Sequence, residues 1–517
     1  MWARFYRSDL RIIAHYLGTL VILVGALMAV PLVVSVLLAE WQTAVHYTVG
    51  IGAALSIGAA LRLLKIHAGH LERRQAIAIT GLAWIVGAFF AAVPLWLSGH
   101  YGSPLDAFFE GVSGLTATGI TLVRDIDHLS MADNMWRFML QLVGGQGVIV
   151  VALSLGLFTR VGSSFYNAEG REESILPNIA KTAQFIWTFA ATIVVIGTLA
   201  LAGTLLASGM EPLRSVFHGL WITIGSYDTG GFAPQSSSLI YYHSWPLEAV
   251  TMVLMFLGAI NFALFAKIHR GNWREFLRDI EVRTLVLWTL GMLVAFVAAV
   301  CAGDFLTGYT ELLRRGIFTI VSTATNTGYQ VLTNNQLTNM LTSGALFLVA
   351  LSMAVGGSAG STAGGIKALR VGIIFKGLVM RIKIVLLPPS AQVNTNYNHI
   401  GRHRLTNDLL SSALIIASLY VISYVIGALA GIVCGYEALP ATMDSIAAAS
   451  NAGLVSGVAN ANAPVLLKVV YIVQMWMGRL EFLTLLALGA SIVASLRPTR
   501  RVPRTHDHIS TGKGGVR

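Results

Sequence analysis

Apolar runs long enough to cross a bilayer recur along the whole chain, and no water-soluble fold absorbs so many of them. Tyr16 to Leu38, Ala76 to Leu97 and Leu285 to Ala302 each approach or exceed the roughly 20 apolar residues that a helix needs to span about 30 Å of hydrocarbon. Only 11% of the residues are charged and 55% are hydrophobic, whereas a soluble domain carries charge on roughly a quarter of its residues. The chain is therefore expected to be an all-α polytopic membrane protein. Its first apolar run follows Arg4, Arg7 and Arg11 as a secretory signal would, but it is too long for one and lacks a small-residue cleavage site, so it reads as a retained membrane helix. The two cysteines, Cys301 and Cys434, lie in apolar runs and behave there as small hydrophobes, which leaves no disulfide framework.

Within this pattern one unit recurs: an apolar helix, a short segment ending in glycine, and a second apolar helix. The four glycine segments are Thr116-Ala117-Thr118-Gly119-Ile120, Thr229-Gly230-Gly231-Phe232, Asn326-Thr327-Gly328-Tyr329 and Asn451-Ala452-Gly453-Leu454. Subtracting the numbers of successive aligned glycines gives intervals of 112, 97 and 125 residues. A single glycine between helices marks an ordinary turn. Four in register point to a repeated structural unit.

Charge decides whether these segments cross the membrane or dip in and return. With two helices first and four dipping units after them, six regions fall on one side: the N-terminus, Arg62 to Arg74, Arg160 to Lys181, Lys267 to Arg283, Lys367 to Arg404 and Arg497 onward. They hold 28 of the 35 Lys and Arg residues, as cytoplasmic loops do. Full crossing by each segment would put Lys367 to Arg404 outside and destroy that sidedness. The segments are therefore expected to be re-entrant, and irregular backbone at membrane depth survives only where protein buries it or it lines a wet cavity. Four of them converging implies a pore. The net charge of +11 is explained by this orientation rather than by nucleic acid, because the basic residues lie in short clusters between spans.

The expected divisions are 1–74, two N-terminal helices; 75–180, 181–282, 283–405 and 406–498, four repeats; and 499–517, a basic cytoplasmic tail. Both termini are placed in the cytoplasm. Rings of backbone carbonyls can replace a cation's lost hydration shell, and glycine lets the backbone approach closely. Short helices before the glycines, such as Leu105 to Leu115 and Met443 to Ser450, would aim partly negative C-terminal ends inward and favour a cation over an anion. Glu110, Asp444 and Asp228 lie in or beside them, either attracting cations to the mouth or hydrogen-bonding the short helices.

The third repeat carries a further feature. From Ser343 its second helix stays apolar only to Val355, 13 residues, or roughly 20 Å of helix. Glycines then oppose helix at about 1 kcal/mol each. A loop over Gly356 to Gly365 is expected inside the membrane, in the ion path; a kinked helix packed through small residues is the alternative. Arg479, deep in an apolar span, is expected to face the pore and donate to carbonyls of that loop. Its alternatives are snorkelling or pairing with Asp444.

These residues resemble the Trk/Ktr/HKT superfamily of potassium transporters, most closely the Trk-type bacterial pore subunit. The resemblance covers nearly the whole chain and includes Phe108-Phe109-Glu110, Trp136-Arg137, Gly258-Ala259-Ile260-Asn261-Phe262, the run from Gly356 to Lys367, and Gly478-Arg479-Leu480-Glu481. It implies a potassium filter at Thr116, Ala117, Thr118, Gly119, Thr229, Gly230, Gly231, Asn326, Thr327, Gly328, Asn451, Ala452 and Gly453. It also implies a gate at Gly356, Gly357, Gly360, Ser361, Thr362, Gly364, Gly365, Lys367 and Arg479. Serine at the first filter position accompanies sodium passage in related transporters, so Gly119 favours potassium. Departures from the pattern are Gly453-Leu454-Val455, in place of a Gly-Pro-Gly, and Asp228 and Gln146.

By the same resemblance the chain is expected in the bacterial inner membrane as a homodimer, with a cytosolic ring of nucleotide-binding regulatory subunits and no covalent cofactor. Potassium is the transported ion, and a nucleotide acts only through the partner. Membrane lipids are the remaining expected partner, and the basic tail could bind anionic ones. An ion-coupled secondary transporter is the competing function, since broken helices and internal repeats occur there too, usually as an inverted pair. The histidines form no His-Glu-x-x-His pair and there is no P-loop, which argues against an enzyme.

Overall fold

The computed structural model describes residues 4–66, 71–147, 179–269, 271–301, 309–388, 394–480 and 482–496. The tail 499–517, most of the basic stretch Arg160 to Lys181, and Glu481 lie outside the described residues. Helices α1 (Arg7–Leu27), α2 (Ala29–Leu37) and α3 (Trp41–Arg62) come first. The four units follow. Each has an outer helix: α4 (Arg73–Leu97), α7 (Ile179–Ala207), α12 (Ile280–Cys301) or α16 (Asn407–Val433). Each has a short helix: α5 (Pro104–Leu115), α8 (Pro212–Tyr227), α13 (Tyr309–Ala324) or α17 (Ala438–Ala449). The inner helices are α6 (Met131–Gln146), α9 with α10 (Trp245–Ala259, Phe262–His269), α14 with α15 (Ser343–Val355, Ala368–Leu386) and α18 with α19 (Val465–Leu480, Phe482–Leu496). A short helix α11 (Trp273–Arg278) precedes α12.

Among the described residues six helices are long and apolar enough to cross a membrane, α1 and α2 counting as one span, Ser8–Leu37. The short helices have 12 to 16 residues, too few to cross, so the glycine segments that follow them turn back. Proline at the first position starts α5 and α8, where its missing N–H costs nothing. Ser103 accepts from the Asp106 N–H at 3.2 Å to cap α5. Met443 to Ser450 is only the second half of α17, which begins at Ala438.

The sequence pointed to one broken inner helix, in the third unit. The structure bends two more: α9 and α10 meet at 99°, and α18 and α19 at 112°. In the second unit the cause is visible. The amides of Ser358 and Thr362 take the carbonyls of Ala259 and Gly258, at 2.8 and 3.1 Å, which a continuing helix would have used itself. A two-stranded antiparallel hairpin, β1 (Asn396–Asn398) with β2 (Arg402–Arg404), was also not signalled, because its polar sequence lacks the alternation of a half-buried strand.

The two N-terminal helices lie against the first unit. Gly18 of α1 and Gly58 of α3 face each other closely enough that a Cβ on either would overlap the other's carbonyl, the small-residue packing usual between membrane helices. Glu40 accepts from the first amides of α6, Met131 and Ala132, at 2.9 and 3.1 Å, placing a carboxylate where the helix N-terminus favours one. The buried Tyr47 hydroxyl donates to Asp133 at 2.8 Å. The N-terminal pair thus fixes where the first inner helix starts.

Candidate functional site

The four glycine segments close into a ring. An added Cβ at Gly119 would overlap the carbonyl of Gly230, one at Gly231 that of Thr327, one at Gly328 that of Ala452, and one at Gly453 that of Thr118. Each glycine therefore lies against the residue preceding the next glycine, in the order first, second, third, fourth and back to first. All four have positive φ, between 67° and 89°, so the ring needs glycine both for conformation and for contact.

The segments begin as helix ends. Ala117, Thr229, Asn326 and Asn451 are left-handed, with φ from 47° to 58°. Their amides return to the carbonyls of Gly114, Ser226, Thr323 and Ala448 at 3.0 to 3.3 Å. The next amides, of Thr118, Gly230, Thr327 and Ala452, return to Ser113, Gly225, Ser322 and Ala447 at 2.8 to 2.9 Å. This pair of bonds around a left-handed residue is the Schellman motif, made here four times without glycine at the left-handed position. It consumes amides and leaves carbonyls. Among the described residues, the Thr118 and Thr327 carbonyls accept no hydrogen bond, although both residues are wholly buried, whereas the Gly230 carbonyl accepts from Gln141 Nε2 at 2.5 Å. Below them, Thr116 Oγ1 meets Thr118 Oγ1 at 2.7 Å, and Asn451 Nδ2 donates to Thr118 Oγ1 at 2.9 Å.

Buried carboxylates hold the chain leaving the ring. Glu110 accepts from Thr121 Oγ1 at 2.9 Å and the Leu122 amide at 3.0 Å. Asp444, nine residues before its glycine as Glu110 is, accepts from the amides of Ser456 and Ala459 at 2.5 and 2.8 Å. Both are wholly buried, and Asp444 does not meet Arg479. Asp228 is buried too and accepts from Gln146 Nε2 at 2.7 Å. None of the three stands at an open mouth.

The run Gly356 to Gly365 is a non-helical loop between α14 and α15; it touches the second, third and fourth units and reaches the first through Arg479. Thr362 Oγ1 donates to Gly258 O at 2.8 Å and lies 3.2 Å from Thr229 Oγ1. Gly364 rests on the Ser450 carbonyl, and Gly356 and Gly365 on Asn326. Arg479 donates to Thr362 O at 2.7 Å, to Gly145 O at 2.8 Å and to Gly144 O, with its guanidinium 5.7 Å from the Trp84 ring centre. Thr362 thus links the loop to the second unit, and Arg479 links it to the fourth and the first. Gly357 packs on Ala259 and Gly360 on Asn261. Ser361 closes the loop's own turn onto Ser358 O at 2.6 Å, and Lys367 Nζ donates to Ala363 O. At the loop's outer edge, Glu281 accepts from the Ala359 amide at 2.7 Å and from Asn261 Nδ2 at 3.3 Å.

A profile of the TrkH family, described as cation transport protein, matches residues 44–495. The chain belongs to the TrkH cation transport family. It is 31% identical over 498 residues to the Trk system potassium uptake protein TrkH of Halomonas elongata, covering 93% of this chain and 98% of that one. It is 29% identical over 490 residues to an uncharacterised cation transporter of Methanocaldococcus jannaschii, covering 95% and 97%. The crystal structure of the potassium transporter TrkH from Vibrio parahaemolyticus superposes with a TM-score of 0.78 at 26% identity, covering 93% of this chain and 98% of that one. The TrkH-family fold of this chain is that of a multi-pass membrane transporter and not of an enzyme.

Several residues that shape the TrkH-family ring were not among the expected site residues. Gly144, Gly258 and Gly478 each lie where a Cβ would overlap a carbonyl at the end of their own unit's short helix, Leu115, Tyr227 and Ala449. They follow their ring glycines by 25 to 27 residues, a spacing that was available as a signal. Arg137 is wholly buried, donates to Glu110 at 2.8 Å and to Ala233 O at 3.2 Å, and lies over Phe232 at 4.4 Å. It ties the first unit to the second. Lys468 with Asp106 at 2.6 Å ties the fourth to the first, and Arg314 with Glu248 at 2.5 Å ties the third to the second.

Proposed function

We propose that this chain takes potassium into the cell across the bacterial inner membrane, through a selectivity filter formed by the four glycine segments. The closed ring carries the conclusion, because buried carbonyls without donors need a partner and a dehydrated monovalent cation supplies one. The names of the Halomonas and Vibrio relatives, potassium uptake protein and potassium transporter, support the choice of ion. Filter residues are Thr116 to Gly119, Thr229 to Gly231, Asn326 to Gly328 and Asn451 to Gly453. The loop 356–365 with Lys367 is the gate, held shut by Arg479 through Thr362. The Trk system naming of relatives supports a membrane subunit that works with other components; the reading adds a homodimer, a cytosolic nucleotide-binding ring as the switch, and cytoplasmic termini.

Growth of an uptake-deficient bacterium on limiting potassium tests the filter. The native chain, supplied with its regulatory partner, should restore growth. Gly119→Ser should lower rubidium uptake and raise the sodium share, because the added Cβ overlaps the Gly230 carbonyl and must push the ring open. Unchanged ion preference in a folded variant would refute a filter built around Gly119. The gate is tested separately in proteoliposomes without partner. Arg479→Ala removes the donor to Thr362 O and should raise basal potassium flux; flux equal to the native chain's would show that Arg479 does not hold the loop.

A further inference from the structure

Between the start of α12, α15 and the β1–β2 hairpin lies a cavity of about 870 Å³. Four basic side chains line it, Arg278, Arg283, Lys376 and Arg402. Among the described residues none of them forms an ion pair with a carboxylate; Arg283 donates to Leu277 O and Lys376 to Asn396 O, at 2.9 and 3.0 Å. Apolar side chains line the rest of the membrane-side wall of α12 and α15. Leu287 and Phe375 are 69% and 66% exposed and line the same cavity with Trp288. Arg278 and Arg283 flank the start of the Ile280–Cys301 span, Arg402 is on the hairpin and Lys376 stands beside Phe375 on α15, while Leu287 and Trp288 lie one to two turns further along the span. Positive charge at headgroup level above an apolar wall at acyl-chain level is complementary to one amphiphile.

We infer that this cavity is a binding site for an anionic phospholipid, with the phosphodiester held by Arg278, Arg283, Lys376 and Arg402 and an acyl chain along Leu287, Trp288 and Phe375. Basic pockets between membrane helices on the cytoplasmic side suit such headgroups, and guanidinium pairs phosphate through two parallel N–H donors. A soluble phosphate would use only the basic half. A water-soluble protein partner would leave the apolar wall uncovered, and a second copy of this chain would leave the basic residues without a counter-charge. The site also bridges two elements of the candidate gate: α15 follows the loop directly, and Glu281 on α12 holds the Ala359 amide. The binding readout below does not depend on the gate reading.

The test is native mass spectrometry of the purified, delipidated full chain titrated with phosphatidylglycerol or phosphatidylcholine. Phosphatidylglycerol should be retained preferentially. The double variant Arg278→Gln with Arg402→Gln should weaken it about thirtyfold, the equivalent of about 2 kcal/mol for two basic groups. Arg62→Gln with Lys65→Gln, exposed basic residues outside the cavity, should leave it unchanged. Leu287→Ser with Phe375→Ser should also weaken retention while keeping every charge, so a folding failure in one double variant leaves the other decisive. Equal retention by the Arg278/Arg402 variant would overturn the site. Full displacement by glycerol 3-phosphate would assign the basic half to a soluble phosphate and overturn the lipid. Disulfide crosslinking of two chains through Phe375→Cys in a lipid-free dimer would assign the face to a second copy and overturn it equally.

Discussion

Glu110→Ala is expected to remove most folded protein from the membrane. The substitution leaves Arg137 wholly buried beside three lost acceptor contacts, and an uncompensated buried charge costs about 3–5 kcal/mol, a large part of a typical stability of about 5–15 kcal/mol. Thermal unfolding of purified protein, followed by tryptophan fluorescence, should show a large fall in midpoint or too little protein to measure. Removing both charges as Glu110→Gln with Arg137→Met should recover part of the loss, since a buried pair exchanged for groups of similar volume is often close to neutral. Recovery will be incomplete, because Arg137 also donates to Ala233 O and covers Phe232. A stability equal to the native chain's in the single variant would mean that the pair does not hold the short helix to the inner helix of the first unit.

Gly328→Ala should fold and yet lose transport. Its φ of 88° penalises an L side chain by about 1–2 kcal/mol, and the new methyl overlaps the Ala452 carbonyl, adding about 1–3 kcal/mol of overpacking. Both costs fall on the ring, so rubidium uptake per folded molecule should drop by at least about one order of magnitude if only half of this strain is relieved by displacing carbonyls. Gly344→Ala is the matched control. It lies in α14 with nothing within 4 Å of the added methyl, where alanine favours helix, and its uptake should match the native chain's. Equal uptake by the two variants would remove the ring from the ion path.

Much of this architecture is legible in the residues. The apolar runs and the period of the four glycines together separate short re-entrant segments from spans, because burial and chain reversal each leave a local mark. The interruption after Val355 is legible for the same reason, as a helix too short for its task. The bend after Ala259 is not. It arises because loop amides from a hundred residues away take the helix's carbonyls, and nothing between Gly258 and Phe262 records that competition. Arg137 and Glu110 are visible as charges among apolar residues, but their pairing between the short and inner helices of the first unit is a property of the folded chain. Asn326 and Asn451 could have been read as helix ends, since asparagine tolerates the left-handed conformation; Ala117 and Thr229 give no such warning.

A tetramer of identical subunits that acquires one altered codon changes every corner of its central opening together. Here the corners are written separately in one gene, so inheritance can revise a single quarter and leave the other three as they were. Gln141 already marks one corner as different, since it engages the Gly230 carbonyl while those of Thr118 and Thr327 have no such neighbour. With the ring as the proposed filter, discrimination among ions can drift in small, graded steps through a lineage instead of by fourfold jumps.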